Sequence, residues 1–201
     1  MRTTMNNNAF TLVELLLAVA FSALLLTGVY GFYSAANQTY SAGISNQTLQ
    51  DGANVVISKI IEGGTEPGGS VIRLATSGSF YVPTNNPNIL YFCQDNPPPC
   101  TTTDSTVRWY TLDSTNTKVL YYHPTSNPLG YDVIYQAPIG STFFSPIANS
   151  KTLRFSYAKY NNVTIPNVLE IDVALTRSLS QANNSRPISG SSSTFVLMRN
   201  H

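Results

Sequence analysis

Glu14 is the residue of this chain whose type and place most suggest chemistry. It is the only charged side chain between Arg2 and Asp51, and it lies in an apolar run from Phe10 to Tyr33. As a helix rising about 1.5 Å per residue, that run reaches roughly 36 Å, enough to cross a bilayer core of about 30 Å. A carboxylate near the start of such a span costs roughly 2.5–3.5 kcal/mol on insertion scales, so it points to a role beyond anchoring. The leader Met1–Ala9 is short and polar, with Arg2 its only basic side chain. An ordinary secretory signal has its small-residue cleavage site after the apolar core. Here the small residue, Ala9, precedes that core. Cleavage after it would leave the helix on the mature chain, with a new amine on Phe10. In lengthwise stacked copies, the amine of one would neutralise Glu14 of its neighbour, which is the condition for tolerating a buried charge.

Other candidate chemistry is sparse. Cys93 and Cys100 are the only cysteines, separated by Gln-Asp-Asn-Pro-Pro-Pro. In an oxidising compartment they are expected to form a local disulfide contributing about 2.5 kcal/mol, the alternative being two free thiols. No His or third Cys accompanies them, so no metal site is expected. Asp104, Asp113 and Asn116 lack the spacing of a calcium loop and suit turns. No nucleophile elbow, zinc-protease helix, phosphate loop or dinucleotide glycine pattern occurs, so neither a catalytic residue nor a cofactor is expected. Charged residues make up 10% of the chain and the net charge is +1, which does not announce nucleic acid as the main ligand. Lys151, Arg154 and Lys159 open a more basic final third, and tyrosines are abundant; together they keep a surface or single-stranded DNA contact in view. Asn37, Asn46, Asn162 and Asn183 begin Asn-x-Ser/Thr triplets, as chance allows in so Asn- and Thr-rich a chain.

The elements that must position these residues follow from the pattern. No proline interrupts residues 10–62, and Tyr33, Ala36, Tyr40, Ile44, Val55, Val56, Ile60 and Ile61 recur at helical spacing. One long helix is expected, stopped by Gly63-Gly64 and the Pro67 cluster. The domain reading is a leader over 1–9, a membrane-spanning half-helix over 10–33, an amphipathic half over 34–62, and an antiparallel β domain over 63–201. Candidate strands are Ser70–Ala75, Ser79–Val82, Asn88–Cys93, Val107–Leu112, Val119–His123, Asp132–Ala137, Thr152–Tyr160, Val168–Leu175 and Thr194–Arg199. Val107–Leu112 and Val119–His123 read as a hairpin whose loop Asp113 and Asn116 suit. Ser180–Ser193, polar and holding Pro187 and Gly190, is expected to be a surface loop. The fold class is α+β.

Asn8-Ala9-Phe10-Thr11-Leu12-Val13-Glu14 and the apolar run after it resemble the amino-terminal signal of type IV prepilins and type II secretion pseudopilins. By that resemblance a prepilin peptidase cuts between Ala9 and Phe10, Phe10 is N-methylated, and Glu14 governs methylation and assembly. Ala stands where the family usually has Gly, and Asn6, Asn7 and Asn8 replace basic residues. Asn88-Ile-Leu-Tyr, Trp109-Tyr-Thr-Leu-Asp and Phe195-Val-Leu-Met-Arg-Asn are similar to minor pilins of the W/J type. The resemblance implies a pilin-like fold and a structural subunit at or near a filament tip. Its partners would be other pilins, met through the helix, and an inner-membrane assembly platform. Before assembly the chain would cross the inner membrane once, with its ectodomain periplasmic. A ligand-binding minor pilin, or an anchored ectodomain never processed, are the alternatives.

Overall fold

A computed structural model describes residues 11–62, 80–93, 107–122, 130–145, 150–181 and 184–197. Among these residues one helix, α1 (Leu12–Glu62), precedes eleven strands. They are β1 (Phe80–Tyr81), β2 (Leu90–Cys93), β3 (Val107–Leu112), β4 (Lys118–Tyr122), β5 (Tyr131–Gln136), β6 (Ser141–Thr142), β7 (Phe144–Ser145), β8 (Ser150–Lys151), β9 (Leu153–Tyr160), β10 (Val163–Gln181) and β11 (Asn184–Leu197). The architecture is α+β, with every strand pair antiparallel. The chain divides into two compact units, Met1–Gly43 and Ile44–His201. The expected strand Ser70–Ala75 lies outside the described residues.

Strands β1 to β5 form a five-stranded meander in chain order. The β3–β4 hairpin is set by Asp113, as the sequence suggests. Its Oδ1 accepts the N–H groups of Thr117 at 2.7 Å and Lys118 at 2.8 Å, while Asn116 takes a φ of 56°. Short polar side chains tolerate that left-handed turn. The inward face buries Phe80, Leu90, Phe92, Tyr110, Val119 and Tyr121.

The second sheet is built on β10, with β11 along one edge and β9 and β6 along the other. Asn161 and Asn162, with φ of 48° and 64°, are the whole β9–β10 loop, since Tyr160 pairs with Val163. Positive φ at both central residues is what a type I′ turn needs. The β9–β10 register shifts between Thr164 and Leu169, across Pro166, whose missing N–H suits an irregularity in the ladder.

The surface loop expected over Ser180–Ser193 is corrected here. From Asn184 onward that stretch is strand, continuing β11 to Leu197 and pairing residue for residue with β10. The Ser191 N–H donates not to β10 but to Gln50 Oε1 of the helix, at 3.2 Å. In an antiparallel ladder, alternate residues turn their N–H away from the partner. Pro187 has the same parity as Ser191, so it gives up no bond to β10 and fits an edge strand.

Within the second unit, the helix buries Leu49, Gly52, Ala53, Val56, Ile57 and Ile60, a stripe at three- and four-residue steps. This differs from the stripe read in the sequence. Val56 and Ile60 belong to it, but Ile44 and Val55 are exposed, and Gly52 and Ala53 take their place. The reason is proximity. Gly52 faces the Tyr135 ring of β5 and Leu175 of β10, while Gly190 of β11 lies against the backbone of Leu49 and Gln50. Lys59 Nζ donates to the Ile134 carbonyl at 2.9 Å, tying the helix to the meander. Phe80 and Tyr157 join the meander to β9, with ring centroids 5.4 Å apart.

Candidate functional site

Glu14 sits in the first turn of α1, and the structure gives it a partner within its own chain. The Thr11 backbone N–H and hydroxyl donate to Glu14 Oε2 at 3.0 and 2.9 Å. The Glu14 N–H returns a bond to Thr11 Oγ1 at 3.3 Å. This is a capping box: Thr at the cap position and Glu three residues on satisfy each other's donors. The acid also complements the positive end of the helix dipole. The Thr-x-x-Glu spacing announces the box in the sequence, where the lone charge drew the reading instead. Ala9 and Phe10 lie outside the described residues.

From Leu12 to Tyr40, every large apolar side chain of α1 is between 52% and 78% exposed. These side chains point all round the axis, not along one stripe. A helix apolar on every side needs lipid or other helices to cover it. The helix is long and apolar enough to cross a membrane. Two of its hydroxyls are satisfied within the helix, for Ser22 and Thr27 donate to the carbonyls of Ala18 and Ala23 at 2.7 and 2.8 Å. Such back-bonding removes much of the penalty of placing them in hydrocarbon.

The remaining sequence candidates are dispersed. Cys93 is the last residue of β2, and Cys100 lies outside the described residues. Arg154 and Lys159 are both exposed on β9, but they are an odd number of residues apart and so leave opposite faces of the strand. Arg154 also stands directly across from Asp172. Lys151 is on β8. The basic stretch therefore does not form one cationic face. Among the described residues no group of three or more His, Cys, Asp or Glu side chains could hold a metal.

One feature escaped the sequence reading. Tyr81, Tyr91, Trp109, Tyr122 and Tyr131 stand directly opposite one another on β1 to β5. They form a single aromatic row across the meander, on the face turned away from Tyr110 and Tyr121. Successive centroids are 6.4, 6.1, 4.6 and 5.3 Å apart. Every member is half-buried. Burial, and then the neighbouring Tyr81, push the Tyr91 phenol up, so it stays protonated and able to donate at neutral pH. The alternating aromatics of β3 and β4 were visible in the sequence, but the row depends on strand register, which they do not specify.

No protein-family model, curated protein or solved structure matches this chain.

Proposed function

We propose that the chain is a pilin-like structural subunit, a minor pilin or pseudopilin of a type IV pilus or type II secretion pseudopilus. Its place is at or near the filament tip, where it primes assembly. The observation that carries this reading is the exposed half of the helix, apolar on all sides, with its one carboxylate in the first turn, four residues after Phe10 in the sequence. A peptidase cut after Ala9 and methylation of Phe10 would ready the helix for packing against others. Until then the chain would cross the inner membrane once, its β domain periplasmic, with Cys93 and Cys100 bridged.

The capping box supplies Glu14 with a local role that any anchor could use, so the decisive test separates cap from charge. Glutamine at the third helical position keeps a capping box but carries no charge. Glu14→Gln is therefore expected to leave helix and cleavage intact and to abolish incorporation into filaments. Normal incorporation would refute pairing of Glu14 with a neighbour's amine. Mass spectrometry of the membrane-extracted protein gives the companion test. An intact leader and unmethylated Phe10, in cells with an active prepilin peptidase, would instead support a plain anchor.

A further inference from the structure

We propose that the outward face of the β1–β5 meander binds an uncharged glycan along the Tyr81–Tyr91–Trp109–Tyr122–Tyr131 row. The core does not require this row, since the opposite face carries its own buried aromatics, Phe80, Phe92, Tyr110 and Tyr121. The polar atoms of Tyr81, Tyr91, Trp109 and Tyr122 make no hydrogen bond among the described residues and are not sealed from solvent. Tyr and Trp with unused polar ends on an apolar base suit a ligand that offers both hydroxyls and C–H surface.

Geometry and charge choose the ligand class. Trp109 and Tyr122 stack with planes 7° apart and centroids at 4.6 Å. One face of each is spent on the other, the neighbouring strands set the tilted rings of Tyr91 and Tyr131 on their far sides at 6.1 and 5.3 Å, and what the pair presents outward is ring edge and polar atom. A nucleobase needs a free ring face to stack upon, and its backbone needs cations alongside. The row contains no charged side chain, and beside it run Thr111, Leu120 and Val133. Lys118 shares this face of β4 but lies four residues from Tyr122, about 13 Å along the strand. Arg108 and Asp132 neighbour row residues in sequence and so leave the opposite face. A neutral surface with unpaired donors and acceptors complements a neutral, hydroxyl-rich polymer.

Trp109 is the only tryptophan, so its fluorescence reports on the row directly. The full-length chain, held in a detergent without a sugar headgroup, is titrated with cellohexaose, maltohexaose, chitohexaose and dextran, and separately with oligothymidylate. A saturable change with at least one sugar is expected. It should weaken about tenfold in Tyr91→Phe and Tyr122→Phe, which keep the rings and lose the hydroxyls. Near-UV circular dichroism checks that each variant keeps its ring packing. Silence toward all four sugars, an unchanged sugar response in both variants, or a response to oligothymidylate alone would overturn the proposal.

Discussion

The contact between Gly190 and the helix invites a substitution whose cost can be worked from distances. A Cβ built on Gly190 falls 2.8 Å from Leu49 Cβ and 2.6 Å from the Leu49 carbonyl carbon, with the Gln50 nitrogen closer still. Carbon atoms pack best at about 3.5–4.0 Å, so Gly190→Ala must drive β11 and the helix apart by roughly 1 Å. The obstacles are mostly backbone, and no rotamer change relieves them. A gap of that size forfeits about a quarter to a half of the local dispersion attraction, and the Ser191 bond to Gln50 lengthens with it. Overpacking of this kind costs about 1–3 kcal/mol, and backbone against backbone belongs at the upper end. At roughly 2–4 °C per kcal/mol for a domain of this size, Tm should fall by about 5–10 °C. Gly52→Ala meets only side-chain ends, Tyr135 Oη and Leu175 Cδ1, which can swing aside. It also gains about 1 kcal/mol of helix propensity, so its net change should be small. Gly28→Ala meets nothing within 4 Å and serves as the control. Thermal unfolding of the detergent-solubilised chain, followed by near-UV circular dichroism, orders the three. Gly190→Ala melting with the wild type, or above Gly52→Ala, would refute the close-approach argument.

Other expectations follow from single features. Thr11→Ala removes the capping hydroxyl and should cost the helix start about 1 kcal/mol, read as faster amide exchange over the first turn. Burial pushes the Asp113 carboxyl up, but bonds from the Thr115 hydroxyl, the Lys118 N–H and both groups of Thr117 outweigh it and leave the group lowered. A lowered carboxyl stabilises the fold above its unfolded pKa, and that contribution is lost as pH falls through the folded pKa. Asp113→Asn should therefore destabilise by about 1 kcal/mol at neutral pH, and its gap from wild type should close in acid; a gap that persists would disprove the assignment. Asn162→Gly should be neutral or stabilising in the Asn161-Asn162 turn, whereas Asn162→Val should cost about 1–2 kcal/mol, both read in urea midpoints.

The helix and most strands were legible because each has a local cause: an unbroken proline-free run, alternating apolar residues, and turn residues such as Asp113. Three things were not. Size misled the reading of the helix stripe, since Ile44 and Val55 look more like core than Gly52 and Ala53. The inner seam needs backbones close together, and only small side chains permit that. Composition misled the reading of β11, for Ser, Gly and Pro favour loops unless a neighbour supplies the ladder, and β10 does so over fourteen paired positions. Register hid the aromatic row, because a strand specifies which residues share its face but not which strand lies beside it. Glu14 was singled out by its isolation, while its bond to Thr11 followed from a spacing equally plain in the sequence.

The seam of Gly190 and Ser191 against Leu49 and Gln50 joins residues 141 positions apart. Synthesis runs from the amino end at roughly 5–20 residues per second, so Gln50 is made on the order of ten seconds before its partner exists. Until β11 is made, the Leu49 end of the buried stripe lacks the strand that covers it, even after β5 and β10 exist to receive Gly52. Among the described strands the latest made, β11, is the one that closes over the Leu49 end of the helix. A ribosome stalled short of β11 would leave this chain a sticky, unfinished intermediate, and translation speed through its final third becomes a variable in its yield.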